Sequence, residues 1–397
     1  MGLYYTIGKS MKKVILRAPL LSFSGYGTHA RQIFRYLLSK KSVSLNVGIV
    51  PWGITSWMVN PDLEDGLIGE IMSRSVPAPE GGYDVSVQLQ LPNEWSTDLA
   101  KLNVGMSAVV ETDRCNPQWV EACNKMDHVI VPSTHAKRCL DNTGYIHREI
   151  SVVPESIYDQ ISREDLGGLD LDIDTSFNFL VFGQLTGNTA ENDRKNLFNT
   201  IKWLCEEFKD DPDVGIILKT NSGRNTKIDK QITLKTFEQV VKDVRSGEYP
   251  KFHLLHGTFS QLEIARLYRN PKIKALVSMT RGEGYGLPLL EASCSGLPVI
   301  ATNWSGHLDF MRKGKFVGVD YDMVNIPKSR IDGGIFIEGA RWADPKEEDA
   351  KRRFRKFYEQ SQTPKDWATN LRQTLLPLYN QDAGNAMYED VLGKNLE

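Results

Sequence analysis

Long apolar runs are missing from this sequence. No stretch approaches the roughly 18 residues that a membrane-crossing helix needs, and the first residues lack the apolar core of a secretory signal. The chain therefore reads as soluble and cytoplasmic, with at most peripheral contact with a membrane. Cysteine is also scarce. The five present (Cys115, Cys123, Cys139, Cys205, Cys294) are odd in number, scattered and without C-x-x-C spacing. That excludes a disulfide framework or a zinc site in favour of reduced thiols in a cytosolic protein. An excess of charge of either sign is absent, since 48 Lys and Arg stand against 50 Asp and Glu. Nothing in that balance demands a polyanionic partner, so nucleic acid is not implied, although a local basic patch is compatible with a neutral total.

What is present is a large apolar fraction, 41% of 397 residues, more than one core usually serves. Two domains of roughly 150–200 residues follow. Strand patterns at 13–17, 44–50, 83–89, 103–110, 128–132 and 150–154 alternate with helical ones at 28–40, 117–126 and 133–140, the last capped by Ser133. A second run places strands at 177–183, 214–220, 252–256, 273–279 and 299–302, with helices after Asp193-Arg-Lys-Asn196, at 233–244, and from Ser260, where Ser260 and Glu263 form a capping box. Such alternation predicts α/β domains with parallel sheets. The divisions expected are 1–158, a linker at 159–176, 177–360, and a helical tail at 361–397. Asp170 and Asp172, although spaced as D-x-D, read as a solvated linker rather than a metal site. Lys351–Lys356, preceded by Glu347–Asp349, reads as a helix face that complements the dipole. Met1-Gly-Leu-Tyr-Tyr-Thr6 fits a loose myristoylation pattern, but Met1–Ser10 is expected to be a frayed lead.

Two glycine-bearing turns carry chemistry. In Gly25-Tyr26-Gly27 the spacing to Ala30 matches a dinucleotide fingerprint, yet the turn is long and no acidic residue ends the next strand, so a nicotinamide enzyme ranks low. The second turn is Arg281-Gly-Glu-Gly-Tyr-Gly-Leu-Pro-Leu-Leu-Glu291, between a buried strand and a helix with proline in its first turn. Glycines there let backbone approach a ligand, and the helix start favours phosphate or sugar oxygens. Glu283 and Glu291 are acceptor-only groups suited to sugar hydroxyls. The blander alternatives are a Glu283 paired with Arg281 and a Glu291 stabilised only by the dipole. Lys195 stands at a helix start, where a cation is unfavourable unless an anion compensates. His29, His256 and His307 are isolated; His307 is the best placed for ligand contact.

Glu283-x7-Glu291 in this glycine pattern, followed by Gly296-Leu-Pro-Val-Ile-Ala301, resembles the donor-site signature of the retaining glycosyltransferase family 4, whose fold is GT-B. Phe182–Gly187, Asp193–Asn196 and His256-Gly257 resemble its second domain, and Glu111–Arg114, Trp119–Asp127 and Val131–Ser133 a subgroup's first domain. The resemblance implies two Rossmann-like domains around a cleft, a nucleotide diphosphate sugar (UDP- or GDP-linked) as co-substrate, no tightly bound cofactor and no required metal. It implies that Glu283 touches the donor sugar, that the backbone of Gly284, Tyr285, Gly286 and Leu287 holds sugar and phosphate oxygens, and that Glu291 accepts from the ribose. Lys195, with Arg194 as its rival, would neutralise the leaving diphosphate, and Gly25, Tyr26 and Gly27 would approach it from the first domain. The tail, from Trp367 to Tyr388, would cross back onto that domain.

Two departures stand out. Gln184 follows Gly183 where many relatives have arginine, which throws the cationic duty onto Arg194 and Lys195. Glu111-Thr-Asp-Arg114 stands where a histidine often faces the donor. Glu111 then orients sugar or acceptor, or Asp113 and Arg114 form only a buried pair. The expectation is a retaining transferase acting on an acceptor hydroxyl, with glycan, lipid, protein or hydroxylated DNA base left open and nucleic acid admitted only as acceptor. A sugar-nucleotide epimerase or hydrolase and a non-catalytic binding protein are the alternatives. Oligomeric state is not legible.

Overall fold

The computed structural model describes residues 11–397. The myristoylation pattern and the expected lead at Met1–Ser10 lie outside the described residues. The first sheet contains β1 (Lys12–Ala18), β2 (Val43–Ile49), β3 (Tyr83–Leu89), β4 (Ala100–Met106), β5 (His128–Val131) and β6 (Ile150–Val152), with helices α1 (Gly25–Leu38), α2 (Leu67–Ser73), α3 (Pro117–Lys125) and α4 (Thr134–Thr143) between them. After a short α5 (Asp159–Ser162), the second sheet contains β7 (Phe177–Phe182), β8 (Val214–Thr220), β9 (Lys251–His256), β10 (Ile273–Ser278), β11 (Val299–Thr302) and β12 (Val317–Val319). Its helices are α6 (Leu197–Glu207), α7 (Lys227–Val244), α8 (Gln261–Tyr268), α9 (Leu287–Cys294) and α10 (Leu308–Met311). A hairpin, β13 (Tyr321–Asn325) and β14 (Arg341–Pro345), then precedes α11 (Glu347–Glu359), α12 (Gln362–Tyr379) and α13 (Gln381–Leu396).

Both six-stranded sheets are parallel throughout, in the orders β2-β1-β3-β4-β5-β6 and β12-β11-β10-β7-β8-β9. Every residue of β8 is buried, as a strand covered by helices on both faces must be. Strand order reverses between β1 and β3 in one sheet and between β7 and β10 in the other, and ligands of open α/β sheets bind beyond the strand ends at such points. The loops after β1, β7 and β10, residues 19–24, 183–196 and 279–286, lie at these points.

Several elements differ from expectation. The strand placed at 103–110 leaves the sheet at Met106, because Val109 turns the chain with φ 60°, a conformation a β-branched residue rarely adopts. The helix placed at 233–244 starts two turns earlier, where Thr226 and Asp229 form a capping box. The tail crosses later than expected: Leu371, Leu375 and Tyr379 of α12 stay in the second core, and only α13 joins the first, through Tyr388, Leu392 and Leu396. Gln32 of α1 secures both crossings, exchanging hydrogen bonds with Ser156 (2.5 and 2.8 Å) and accepting one from Gln381. Ile157 N–H donates to the Tyr379 carbonyl at 2.7 Å. In the linker Asp170, Asp172 and Asp174 are exposed while Leu171 and Ile173 pack inward.

The β13–β14 hairpin is unanticipated. Its strands pair antiparallel, and Ile326, Phe336, Ala340 and Trp342 pack with Val110 and Trp119 of the first half. Among the described residues, no helix is long and apolar enough to cross a membrane. All five cysteines are buried and free.

Candidate active site

The turn from β10 into α9 is built by close backbone contacts. A Cβ on Gly282 would meet the Glu111 carbonyl oxygen at 2.0 Å, and one on Gly284 the Ala108 carbonyl at 2.8 Å. At these two positions glycine makes room for the first domain's backbone, where the sequence suggested room for a ligand. Ser133 Oγ donates to the Gly284 carbonyl at 2.5 Å, and Glu283 N–H to Ser305 Oγ at 2.9 Å. Gly286, with φ 96°, starts the helix. The N–H groups of Gly284, Tyr285, Gly286 and Leu287 have no acceptor among the described residues, so a row of four donors ends at the positive end of α9.

Glu283 is buried beside this row. Lys195 Nζ lies 2.7 and 2.8 Å from its two oxygens, and Arg194 Nη1 lies 3.8 Å away. Burial alone would raise the carboxyl's pKa, but the Lys195 and Arg194 charges outweigh it and hold the group at about 2. Arg194 also donates to the Gly282 carbonyl (2.8 Å) and pairs with Glu111 at 3.3 Å. The alternative pairing of Glu283 with Arg281 does not form. Arg281 turns away to Asp344 (3.0 Å) and to the carbonyls of Ala190 and Asp193.

Asp193, which sequence reasoning passed over, holds the two cations in place. It is fully buried. One of its oxygens accepts from Thr186 N–H and Oγ1 (3.0 and 2.7 Å), and the other from Leu197 N–H at 2.7 Å. The loop 183–196 is thereby folded against the start of α6, with Asn196 left-handed at φ 55°. The available signal was an aspartate four residues ahead of the first helical leucine, a place where a side chain can satisfy an orphan N–H.

Glu291, in the second turn of α9, is buried and accepts one hydrogen bond, from Tyr268 Oη at 3.1 Å. Burial pushes its pKa up to about 8 against the opposing effect of Tyr268. Glu155 is raised likewise, by burial and then by Glu291, to about 8. The Tyr285 side chain points inward to donate to the Glu155 carbonyl (2.8 Å), which leaves its backbone for the cleft. On the first domain Ser24 caps Gly27 N–H at 3.0 Å, while the N–H groups of Gly25 and Tyr26 have no acceptor among the described residues. Tyr26 stacks on Trp52 with ring centroids 3.8 Å apart, and its oxygen accepts from Ala108 N–H at 2.9 Å.

The structure thus brings Glu283, Lys195, Arg194 and Glu111 into one network and sets Glu291 apart with Tyr268. The alternative of a buried Asp113–Arg114 pair does not form: Asp113 pairs with Arg341 at 2.9 Å and Arg114 is exposed. His307 is a packed residue, its Nε2 2.8 Å from the Thr302 carbonyl and its pKa lowered by burial. His29 bonds Tyr388 and His256 the Ser222 carbonyl. Among the described residues, no group of three or more His, Cys, Asp or Glu side chains is arranged to hold a metal ion.

Residues 236–374 match the family model described as glycosyl transferases group 1. No curated protein sequence matches the chain. Among solved structures, HepE from Anabaena in complex with UDP and glucose is 13% identical, with a TM-score of 0.61 over 97% of this chain and 100% of that one. Sucrose-phosphate synthase from Thermosynechococcus elongatus is 12% identical, with a TM-score of 0.65 over 97% and 99%. A mutant TarM from S. aureus, in complex with UDP among other ligands, is 13% identical with a TM-score of 0.51; the chain spans 55% of its length, and 77% of this chain is covered. At such identities the likeness is one of fold. The two doubly wound domains have the GT-B architecture.

Proposed function

We propose that this protein is a retaining, nucleotide-sugar-dependent glycosyltransferase of the group to which family 4 belongs, moving a sugar from a UDP- or GDP-linked donor to an acceptor hydroxyl. The observation that carries this reading is the row of unpaired N–H groups at 284–287 lying beside the Lys195–Glu283 pair. An anion on that row meets four donors, a helix dipole and two cations, which is what a leaving diphosphate requires. The family-model match over residues 236–374 and a neighbour solved with UDP and glucose support the class.

In this reading Glu283 exchanges part of its bond to Lys195 for donor-sugar hydroxyls, and Lys195 turns to the diphosphate. Arg194 and the N–H groups of Gly25 and Tyr26 complete the charge compensation, with no metal required. The acceptor oxygen bonds to the anomeric carbon as the bond to the diphosphate oxygen breaks, and the acceptor proton passes to that departing oxygen. Glu111, held on Arg194, orients the sugar or the acceptor. Residues 1–158 serve the acceptor and 177–360 the donor. A thermal-shift screen of UDP-, GDP-, ADP- and TDP-sugars, followed by acceptor profiling with the best donor, tests the reading. Donor converted only to epimer or free sugar with every acceptor would move the assignment to an epimerase or hydrolase.

The Glu291 role has its own signature. The free carboxyl is largely protonated below about 8, whereas two ribose hydroxyls donating to it require the carboxylate. Binding then releases a proton, so nucleotide affinity should rise by up to about tenfold per pH unit on approaching 8 from below. Glu291→Gln should flatten that slope. Calorimetric titration at several pH values decides, and an equal slope in both proteins would remove Glu291 from the ribose site.

A further inference from the structure

Arg330, which no functional reading has used, sits at the end of a short turn in the segment between β13 and β14, at Lys328–Arg330. Its guanidinium stacks over the Phe336 ring at 4.2 Å, and Phe336 is anchored in the core that joins the hairpin to the first domain. Asn116 Nδ2 holds the same loop by the carbonyls of Gly333 and Gly334, both at 3.0 Å. From the other side, Asn192 of the loop 183–196 reaches Ser329 Oγ at 3.5 Å. Arg330 is thus fixed between the two walls that carry Glu111 and Arg194.

Among the described residues, the guanidinium has no counterion in contact and its buried Nε no partner. The charges that act on it include Arg194, Asp332, Glu111 and Asp193, and none of the three carboxylates bonds to Arg330 among the described residues, each having other partners. Asp332 Oδ1 accepts from the N–H groups of Gly334, Ile335 and Phe336 (2.9, 2.8 and 3.0 Å). Asp193 is taken by Thr186 and Leu197, and Glu111 by Arg194. Burial and the neighbouring Arg194 charge both work against the ionised form of Arg330. A half-buried arginine held near another cation with no carboxylate in direct contact is an unfavourable arrangement unless an anion arrives.

We propose that Arg330 recognises an anionic group, a carboxylate or a phosphate, on the acceptor that enters beside Glu111. Guanidinium matches both groups bidentately, which a lysine at this position would not do. The Glu111 side is indicated because Asn116, on the wall that carries Glu111, holds the loop of Arg330, and Glu111 is among the charges that act on the guanidinium. This inference rests on the transferase reading of the cleft.

The test uses matched probes on the full chain, saturated with the nucleotide diphosphate that the donor screen selects. Glycerol is compared with glycerol 3-phosphate, and glucose with glucose 6-phosphate and with glucuronate, by calorimetric titration. At least one anionic member should bind tenfold or more tighter than its neutral partner, and the phosphate and carboxylate arms tell which anion is read. Arg330→Gln should remove that preference, and Arg330→Lys should retain only part of it. Equal binding within every pair, or a preference that survives Arg330→Gln, overturns the proposal. The wild-type comparison decides even if a variant does not fold. Failure to bind any nucleotide would instead count against the transferase reading, so the two failures are distinguishable.

Discussion

Lys195→Ala is expected to lower kcat by a factor on the order of 10²–10³, the usual effect of removing one donor from a site of developing negative charge. The same substitution should destabilise the fold. Lys195 and Glu283 bond at 2.7 and 2.8 Å, and breaking a buried pair from one side costs about 3–5 kcal/mol. Arg194, 3.8 Å from Glu283, and the partial exposure of Lys195 bring the figure to the lower end of that range. Glu283→Gln added to Lys195→Ala should recover most of the stability, because no uncompensated buried charge is left, and none of the activity. Steady-state rates beside urea unfolding curves separate the two effects. A double variant that regains both would make the pair structural.

Gly282→Ala should be nearly as damaging, by a different route. A methyl group there meets the Glu111 carbonyl oxygen at 2.0 Å, so the two backbones must part by more than about 1 Å. Misplacement on that scale is enough to cost about 10²-fold in rate. The two domains, more than the turn itself, bear the change, since Gly282 does not adopt a left-handed φ. Small-angle scattering should show a larger radius of gyration, and, on the proposed reading that the second domain holds the donor, kcat should fall while nucleotide affinity changes less. Gly25→Ala is the contrast, because a Cβ there meets nothing within 4 Å. Unchanged turnover in Gly282→Ala would mean that catalysis does not need this approach of the two walls.

Strands such as β8 and helix starts such as Ser133 were legible in the sequence because uniform burial and capping leave local marks. The glycine turn was legible as a place of close approach, but spacing does not say what approaches. At Gly282 and Gly284 it is the other domain, and at 284–287 it is unpaired donors. Lys195 stood out as a cation in the wrong place on a helix, and its partner Glu283, 88 residues away, required the loop that Asp193 folds. The hairpin and Arg330 escaped notice because their meaning lies in contacts with Asn116 and Asn192, distant in the chain and unmarked by any periodicity.

The fastening of both inter-domain crossings to Gln32 has a mechanical consequence. Two strands tied at one residue, with Ile157 bonded to Tyr379 beside them, make a joint that turns but does not slide. Any rotation about it would leave its immediate surroundings in register, including the Tyr285 bond to the Glu155 carbonyl, one residue from the joint. Any displacement would grow with distance from that joint, toward the contact of Gly282 with the Glu111 carbonyl.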